Sequence, residues 1–149
     1  MTFGTNTYKG IFKPINPQKY RGNVNNIIYR SSWELRCMKW FDKTANVLWW
    51  SSEELVIPYF SPVDNRSHRY FPDFVINVKT KDGIKKTYVI EVKPEQQTKV
   101  PTQKRRTKKY IQEAATYVVN QCKWKAADKF CQENGWEFRI LTEKELGLK

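Results

Sequence analysis

The sequence is poor in residues that bind transition metals and has no long apolar run. It contains one histidine, His68, and three cysteines without CxxC spacing, which excludes the usual zinc-site patterns. Reduced thiols in a cytoplasm are the simplest interpretation of those cysteines. No apolar stretch approaches the roughly 18 residues of a membrane-spanning helix, and the first residues, MTFGTNTYKG, lack the apolar region of a signal peptide.

Acidic residues are scarce beside basic ones. Lys and Arg number 27 against 15 Asp and Glu, which gives a formal net charge of +12. Such an excess suits a polyanion, usually DNA or RNA, with an anionic membrane as the rival. The sequence has neither the aromatic motif of common RNA-binding modules nor a zinc finger or recognition helix. It therefore favours DNA held through its phosphates.

The order of helical and strand patterns predicts an α/β (α+β) fold, a single domain with a central mixed sheet flanked by helices. Residues 1–28 are punctuated by Gly, Asn and Pro and are predicted to be an extended N-terminal arm. The aromatic residues of this arm either wrap the domain or dock a partner. Residues 29–149 are predicted to form the globular domain.

Two helices and a last strand are predicted within that domain. The first helix, in YRSSWELRCMKWFDKTAN, is capped by Ser31 or Ser32. The second begins in the basic stretch after residue 100, has a candidate break near Cys122 and ends at Gly135. WEFRILT is the last strand, and EKELGLK is a short helical tail. One face of the first helix is predicted to carry Trp33, Cys37, Trp40 and Phe41.

The stretch RYFPDFVINV reads as a buried strand that contains one acid, Asp73. A two-residue turn at Asp82-Gly83 would place Asp73 opposite Val92, among apolar side chains. A three-residue loop ending at Gly83 pairs Thr80 with Ile84 and sets Asp73 opposite Glu91. The second register makes one face wholly apolar and leaves Val75 and Val89 on the other face with Asp73 and Glu91. It is favoured because a slip of one residue would exchange the two faces.

Two carboxylates opposed across a sheet repel each other unless a positive charge lies between them. Lys93 lies on the same face and supplies part of that charge, and a divalent cation would compensate more fully. Oxygen ligands without histidine or thiolate suit Mg²⁺ or Mn²⁺. The alternative is a solvated cluster of Asp73, Glu91 and Lys93 on an exposed sheet face.

Pro72-Asp73, followed at a distance by Glu91-Val92-Lys93, resembles the PD-(D/E)XK nuclease motif. The stretch YRSSWELRCMKWFDKTANVLWWSSEELVIPY is similar to the N-terminal catalytic domain of TnsA-type transposon endonucleases. It is more similar still to the head completion nucleases of T-even-like tailed bacteriophages. The resemblance implies a restriction-endonuclease-like fold and a metal-dependent DNA endonuclease that acts at head completion and DNA-end processing during virion assembly.

The resemblance also implies residue roles. Asp73, Glu91 and the Val92 carbonyl would bind Mg²⁺ or Mn²⁺, and Lys93 would contact the scissile phosphate or the attacking water. Glu34 takes the position of a helix-borne catalytic or metal-binding acid. Its spacing from Ser31 is equally that of a capping box, in which the glutamate bonds the helix N-terminus. The two roles compete because the carboxylate points one way.

A run of positive charge follows the Glu91-Val92-Lys93 strand and is predicted to bind DNA phosphates, of duplex or branched DNA. The predicted phosphate-binding residues are Lys99, Lys104, Arg105, Arg106, Lys108 and Lys109. His68 is either a proton carrier near the site or a plain surface residue.

Phage head or neck proteins are the expected partners, with the host cytoplasm or the virion as location. A non-catalytic basic protein of the virion head-neck region is the alternative function.

Overall fold

The structure is a computed structural model that describes residues 8–102 and 105–147. Within these ranges the chain forms two helices, four strands of a central sheet and two small strand pairs. In chain order the elements are β1 (Gly10–Ile11), β2 (Ile28–Tyr29), α1 (Ser32–Lys43), β3 (Val47–Ser52), β4 (Ile57–Ser61), β5 (Arg66–Tyr70), β6 (Phe74–Lys79), β7 (Lys85–Val92), α2 (Lys108–Asn134) and β8 (Glu137–Leu141).

The central sheet is mixed, with the strand order β3-β6-β7-β8. β3, β6 and β7 are antiparallel neighbours, whereas β8 pairs in parallel with β7. A parallel neighbour requires a long crossover, and α2 provides it. β1 pairs with β2, and β4 pairs with β5 as a separate hairpin just before β6. The predicted α+β class with a central mixed sheet and flanking helices is confirmed.

The two faces of the sheet are covered by different helices. On one face Met38 and Phe41 of α1 pack in a cluster with Trp50, Phe74 and other sheet residues. On the other face Cys131 of α2 packs with Val75 and Val89. Farther along α2, Trp124 and Ala127 pack against Ile57 and Tyr70 of the hairpin. The sheet therefore has no solvated face at its centre.

The described part of the N-terminal segment wraps the domain. Phe12, Tyr20 and Ile27 are buried in the cluster around Trp50, although the segment contains only short regular elements. Asp42 at the end of α1 accepts hydrogen bonds from the backbone N–H groups of Ile15 and Asn16, at 2.8 and 2.9 Å. Of the two roles left open for these aromatics, packing on the domain holds for Phe12 and Tyr20. The boundary at residue 28 stays a prediction.

Three local expectations differ from the structure. α2 is continuous through Cys122, because this part of the helix packs on the sheet and the hairpin. Residues 143–147 form turns rather than a helix. The buried side of α1 contains Glu34, Cys37, Met38, Phe41 and Asp42, and Trp40 is 54% exposed. Trp33, Cys37 and Phe41 of the predicted face do pack in the core, so the prediction is wrong only for Trp40. Hydrophobic spacing could not place Glu34 and Asp42 on the buried side, where backbone N–H groups engage each of them.

Candidate active site

The β6–β7 hairpin has the register that was predicted for a three-residue loop. Thr80 N–H donates to the Ile84 carbonyl at 2.8 Å, and Gly83 has φ of +80°. Glycine suits this left-handed conformation because it has no Cβ. Phe74 faces Ile90 and Asn77 faces Thr87, which is the register that would set Asp73 opposite Glu91 one residue beyond the paired strand.

Asp73 lies immediately before β6, where its side chain continues the hydrogen bonding of the strand. Its Oδ2 accepts from Val92 N–H at 2.8 Å, while its carbonyl accepts from Glu53 N–H at 3.1 Å. Pro72, which lacks an N–H, is fully buried at this point. Asp73 is only 4% exposed. The carboxylate is therefore held inside the protein by the two strands next to it.

Glu91, near the end of β7, is equally enclosed, with 6% exposure. Its Oε1 accepts a hydrogen bond from the Tyr70 hydroxyl at 2.8 Å. Its Oε2 lies 3.8 Å from Lys93 Nζ, and the Lys93 side chain is 14% exposed. A solvated salt-bridge cluster on an exposed sheet face, the alternative considered from the sequence, is wrong because α2 and the hairpin cover this face.

The electrostatics of the pair are unfavourable to two bare negative charges. Burial raises the pKa of Asp73 well above its usual range, and the neighbouring charge of Glu91 raises it further. Burial also raises the pKa of the Cys37 thiol to about 12, with Asp73 and Glu34 adding to the effect. The site thus concentrates negative charge that nearby protein groups compensate only in part.

Glu34 forms half of a capping box. Ser31 Oγ accepts from Glu34 N–H at 3.1 Å, which caps α1. The Glu34 side chain accepts a weaker bond, 3.4 Å, from Arg30 N–H through Oε1. Its Oε2 is buried and has no hydrogen-bond partner in the described part of the chain. Burial raises the pKa of Glu34, and the charge of Glu34 in turn adds to the raised pKa of Asp73.

These acids suit a hard cation chemically, although they do not form a complete set of metal ligands. Within residues 8–102 and 105–147, no group of three or more His, Cys, Asp and Glu side chains is arranged to hold a metal ion. Asp73 and Glu91 nevertheless offer oxygen ligands alone, their charges repel, and Glu34 adds an unpaired buried oxygen. Such a donor set fits Mg²⁺ or Mn²⁺. A metal-binding role for the Val92 carbonyl stays a prediction.

The predicted phosphate-binding residues lie at the start of α2 and in the segment before it. Arg105, Arg106, Lys108 and Lys109 are exposed, as is Lys99. Lys99 and Lys109 line opposite walls of a groove of about 800 Å³ between residues 96–102 and α2. Lys104 lies outside the described residues. None of the described helices has the length and apolar character that crossing a membrane requires.

The sequence did not single out Tyr70 or Lys123, and it did not decide whether His68 is a proton carrier or a surface residue. Tyr70, which bonds Glu91, was treated only as part of a strand. Lys123 of α2 lies over the rings of Tyr59 and Tyr70. The sequence could have pointed to it because this lysine neighbours the buried helix positions Asn120, Trp124 and Ala127. His68 places Nε2 2.6 Å from Asp64 Oδ2 and stacks on Tyr59 in the hairpin.

Comparisons with known proteins identify the family of this chain. The family model described as TnsA-like endonuclease N terminal matches residues 44–143, which include Asp73, Glu91 and Lys93. The chain is 38% identical over 150 residues to the head completion nuclease of Enterobacteria phage T4, covering 95% of this chain and 97% of that protein. No solved structure gives a significant match. The chain belongs to the TnsA-like endonuclease N-terminal family.

Proposed function

We propose that the protein is a metal-dependent DNA endonuclease that acts in bacteriophage head completion, at the DNA end left after packaging. The observation that carries the proposal is the pair of buried carboxylates Asp73, bonded by Val92 N–H, and Glu91, with Lys93 Nζ 3.8 Å from Glu91 Oε2. The similarity to a head completion nuclease supports the biological setting. That setting makes phage head or neck proteins the partners and the host cytoplasm or the virion the location.

Asp73 and Glu91 would hold the metal, with Glu34 as a third carboxylate. When bound, Mg²⁺ or Mn²⁺ would lower the pKa of a water molecule and neutralise charge on the phosphate. Tyr70 orients Glu91 through its hydroxyl, and Val92 N–H orients Asp73. These hydrogen bonds fix both carboxylates before DNA arrives, so little reorganisation is needed during the reaction.

Lys93 supplies a fixed positive charge at the same place. Its backbone N–H donates to the Leu141 carbonyl at 2.9 Å, so the residue is anchored by β8 as well as by β7. The ammonium group would contact the scissile phosphate, where negative charge builds up as the phosphodiester bond is hydrolysed. DNA would be bound mainly through its backbone, by the exposed basic residues before and within α2.

The direct test is cleavage of supercoiled plasmid by highly purified protein. We expect cutting with Mg²⁺ or Mn²⁺, no cutting in excess EDTA, and DNA binding with little cutting in Ca²⁺. Asp73→Ala, Glu91→Ala and Lys93→Ala should each abolish cleavage and still bind DNA. Lys85→Ala, at the exposed start of the same strand β7, is the matched control and should cut normally.

Robust cleavage in EDTA, or normal cleavage by the three site variants, would overturn the proposed site. A protein that binds DNA but never cuts under any divalent cation would instead be the basic, non-catalytic head-neck protein considered from the sequence.

A further inference from the structure

Lys123 occupies an unusual environment for a lysine in the middle of a long helix. It is half-buried on α2, and its Nζ lies 5.9 Å from the ring centroid of Tyr59 and 5.7 Å from that of Tyr70. Both tyrosines belong to the β4–β5 hairpin, where Tyr59 faces His68 and Tyr70 faces Ile57. A lysine within about 6 Å of an aromatic face is attracted by the ring quadrupole, so the two rings hold this ammonium group in place.

The ammonium group of Lys123 is incompletely compensated. Among the described residues, no carboxylate lies within 4.0 Å of it, although Lys93, Lys109 and Lys144 each have such a partner. Lysines are rarely buried without a charged partner because burial removes their hydration. Burial lowers the pKa of Lys123, and the field of Glu91 offsets this only in part. The position therefore favours an incoming anion.

Lys123 is also linked to Glu91 through one of its two tyrosines. Glu91, Lys93 and Asp73 all act electrostatically on Lys123. The ring beneath Lys123, that of Tyr70, is the one whose hydroxyl bonds Glu91. The Tyr70 side chain thus contacts both Lys123 and the Glu91 carboxylate, whereas Lys93 Nζ lies 3.8 Å from that carboxylate. That offset suits a phosphate next to the scissile one.

We propose that Lys123, seated on Tyr59 and Tyr70, is a DNA-binding residue that contacts a phosphodiester adjacent to the cleaved one. This inference rests on the proposed nuclease function and adds a residue from α2 to the site. Lys123 positions the DNA strand relative to Asp73, Glu91 and Lys93, while those residues carry the chemistry. Its removal therefore weakens substrate binding, and it raises KM by a larger factor than it lowers kcat.

The first experiment measures binding of duplex DNA without divalent cation over a range of salt concentrations. Lys123→Met keeps an apolar stem over the tyrosines and removes the charge. It should weaken binding about tenfold and reduce the slope of log K against log salt by about 0.9. Lys123→Arg should restore most of the affinity. Lys125→Met, an exposed lysine two residues along α2, is the control and should change affinity less than twofold.

The second experiment locates the phosphate. After the wild-type cleavage position has been mapped, single phosphates on either side are replaced by neutral methylphosphonate, and KM and kcat are measured. At one flanking position the replacement should raise KM for wild type but not for Lys123→Met, which is the non-additivity expected of two groups in contact. Melting temperatures of wild type and variant should agree.

Two results would overturn the role of Lys123: a wild-type salt slope in Lys123→Met, or additive effects at every phosphate tested. If wild-type protein cuts DNA while Lys123→Met behaves identically, only this inference fails. If wild-type protein neither cuts nor binds DNA, the proposed function fails and this inference fails with it.

Discussion

Glu34 is the residue where two roles meet, because its backbone caps α1 while one side-chain oxygen lies buried without a partner among the described residues. The cap itself uses Glu34 N–H and Ser31 Oγ, so it does not depend on the carboxylate charge. Oε1 accepts from Arg30 N–H, which a glutamine oxygen could also do. The charge is therefore separable from the capping role by a single substitution.

Glu34→Gln should melt within about two degrees of wild type. It should lose at least roughly tenfold in cleavage, about 1.4 kcal/mol of barrier, because glutamine cannot offer a charged ligand to the metal. Part of the missing rate should return at high Mg²⁺ or with Mn²⁺. Glu34→Ala serves as the comparison, since it removes the Arg30 bond as well. Full activity in Glu34→Gln, with a destabilised Glu34→Ala, would make Glu34 a cap alone.

The raised pKa of Asp73 has a consequence for stability in the absence of metal. Between the ordinary pKa of about 3.9 and the higher folded value, the folded protein holds more protons than the unfolded chain. Stability therefore falls as pH rises through this window. In EDTA, the melting temperature of wild type should fall, relative to that of Asp73→Asn, as the pH rises from about 4 towards neutrality. Asp73→Asn is the suitable comparison because asparagine retains an oxygen for Val92 N–H.

Thermal melts of both proteins at several pH values check this expectation. The difference between the two curves is the relevant quantity, because other groups titrate in both proteins. Added Mg²⁺ should raise the wild-type melting temperature near neutral pH more than that of Asp73→Asn. If the melting temperatures of the two proteins change with pH in parallel, ionisation of Asp73 does not destabilise the fold, and the expectation is wrong.

At the scale of elements, α1 is stabilised at its C-terminus by a residue far away in sequence. Lys19 Nζ donates to the carbonyls of Phe41, Asp42 and Thr44 at 2.6, 3.1 and 2.8 Å. A cation at a helix C-terminus satisfies free carbonyls and complements the helix dipole. This contact fastens the N-terminal segment to the helix that carries Glu34.

Lys19→Met should destabilise the fold by about 1.5–3 kcal/mol, the range for hydrogen bonds to a charged group. The melting temperature should fall by several degrees. Cleavage per folded molecule should remain close to wild type, since Lys19 contacts the end of α1 opposite to Glu34. Lys43→Met, exposed in the last turn of the same helix, is the matched control and should cost about 0.5 kcal/mol or less. Equal melting of both variants would contradict this anchoring role.

The β6–β7 hairpin could be predicted from sequence because its determinants are local. Gly83 sets the loop, and alternation of side chains along two adjacent strands sets the register. Glu91 was thereby placed opposite Asp73 without knowledge of the rest of the fold. The resemblance to PD-(D/E)XK nucleases then supplied candidate roles that the local pattern alone does not give.

Other features depended on contacts between distant segments and could not be predicted. Phe12 and Tyr20 enter the core from a segment without periodicity, so no pattern marked them as buried. The Tyr70 hydroxyl reaches Glu91 only because the β4–β5 hairpin packs against the sheet. Lys123 joins the site only because α2 is continuous and crosses the same face.

For the whole molecule, a net charge of +12 drives association with any nucleic acid, whatever its sequence. The acids sit within this positive field, and the exposed cations before α2 extend it along the groove next to residues 96–102. We therefore expect affinity and chemistry to depend on different residues and to separate on mutation.

Neutralising Arg105 and Arg106 together as glutamines should weaken binding to every DNA sequence tested. The slope of log K against log salt should fall by about 0.9 for each phosphate that the variant no longer neutralises. The matched control neutralises Lys85 and Lys86, which are exposed at the far end of β7, and changes the net charge equally. Identical slopes for the two double variants would mean that only net charge matters and that the segment before α2 makes no specific contact.

The bond between Lys93 N–H and the Leu141 carbonyl also bears on the timing of synthesis. A ribosome makes Asp73, Glu91 and Lys93 early, but β8 follows only after the whole of α2, and long-range parallel pairing forms late in folding. The nascent chain therefore carries its acids before the lysine beside them is anchored. A cell making this nuclease is exposed to the assembled site only after β8 has been synthesised and paired with β7.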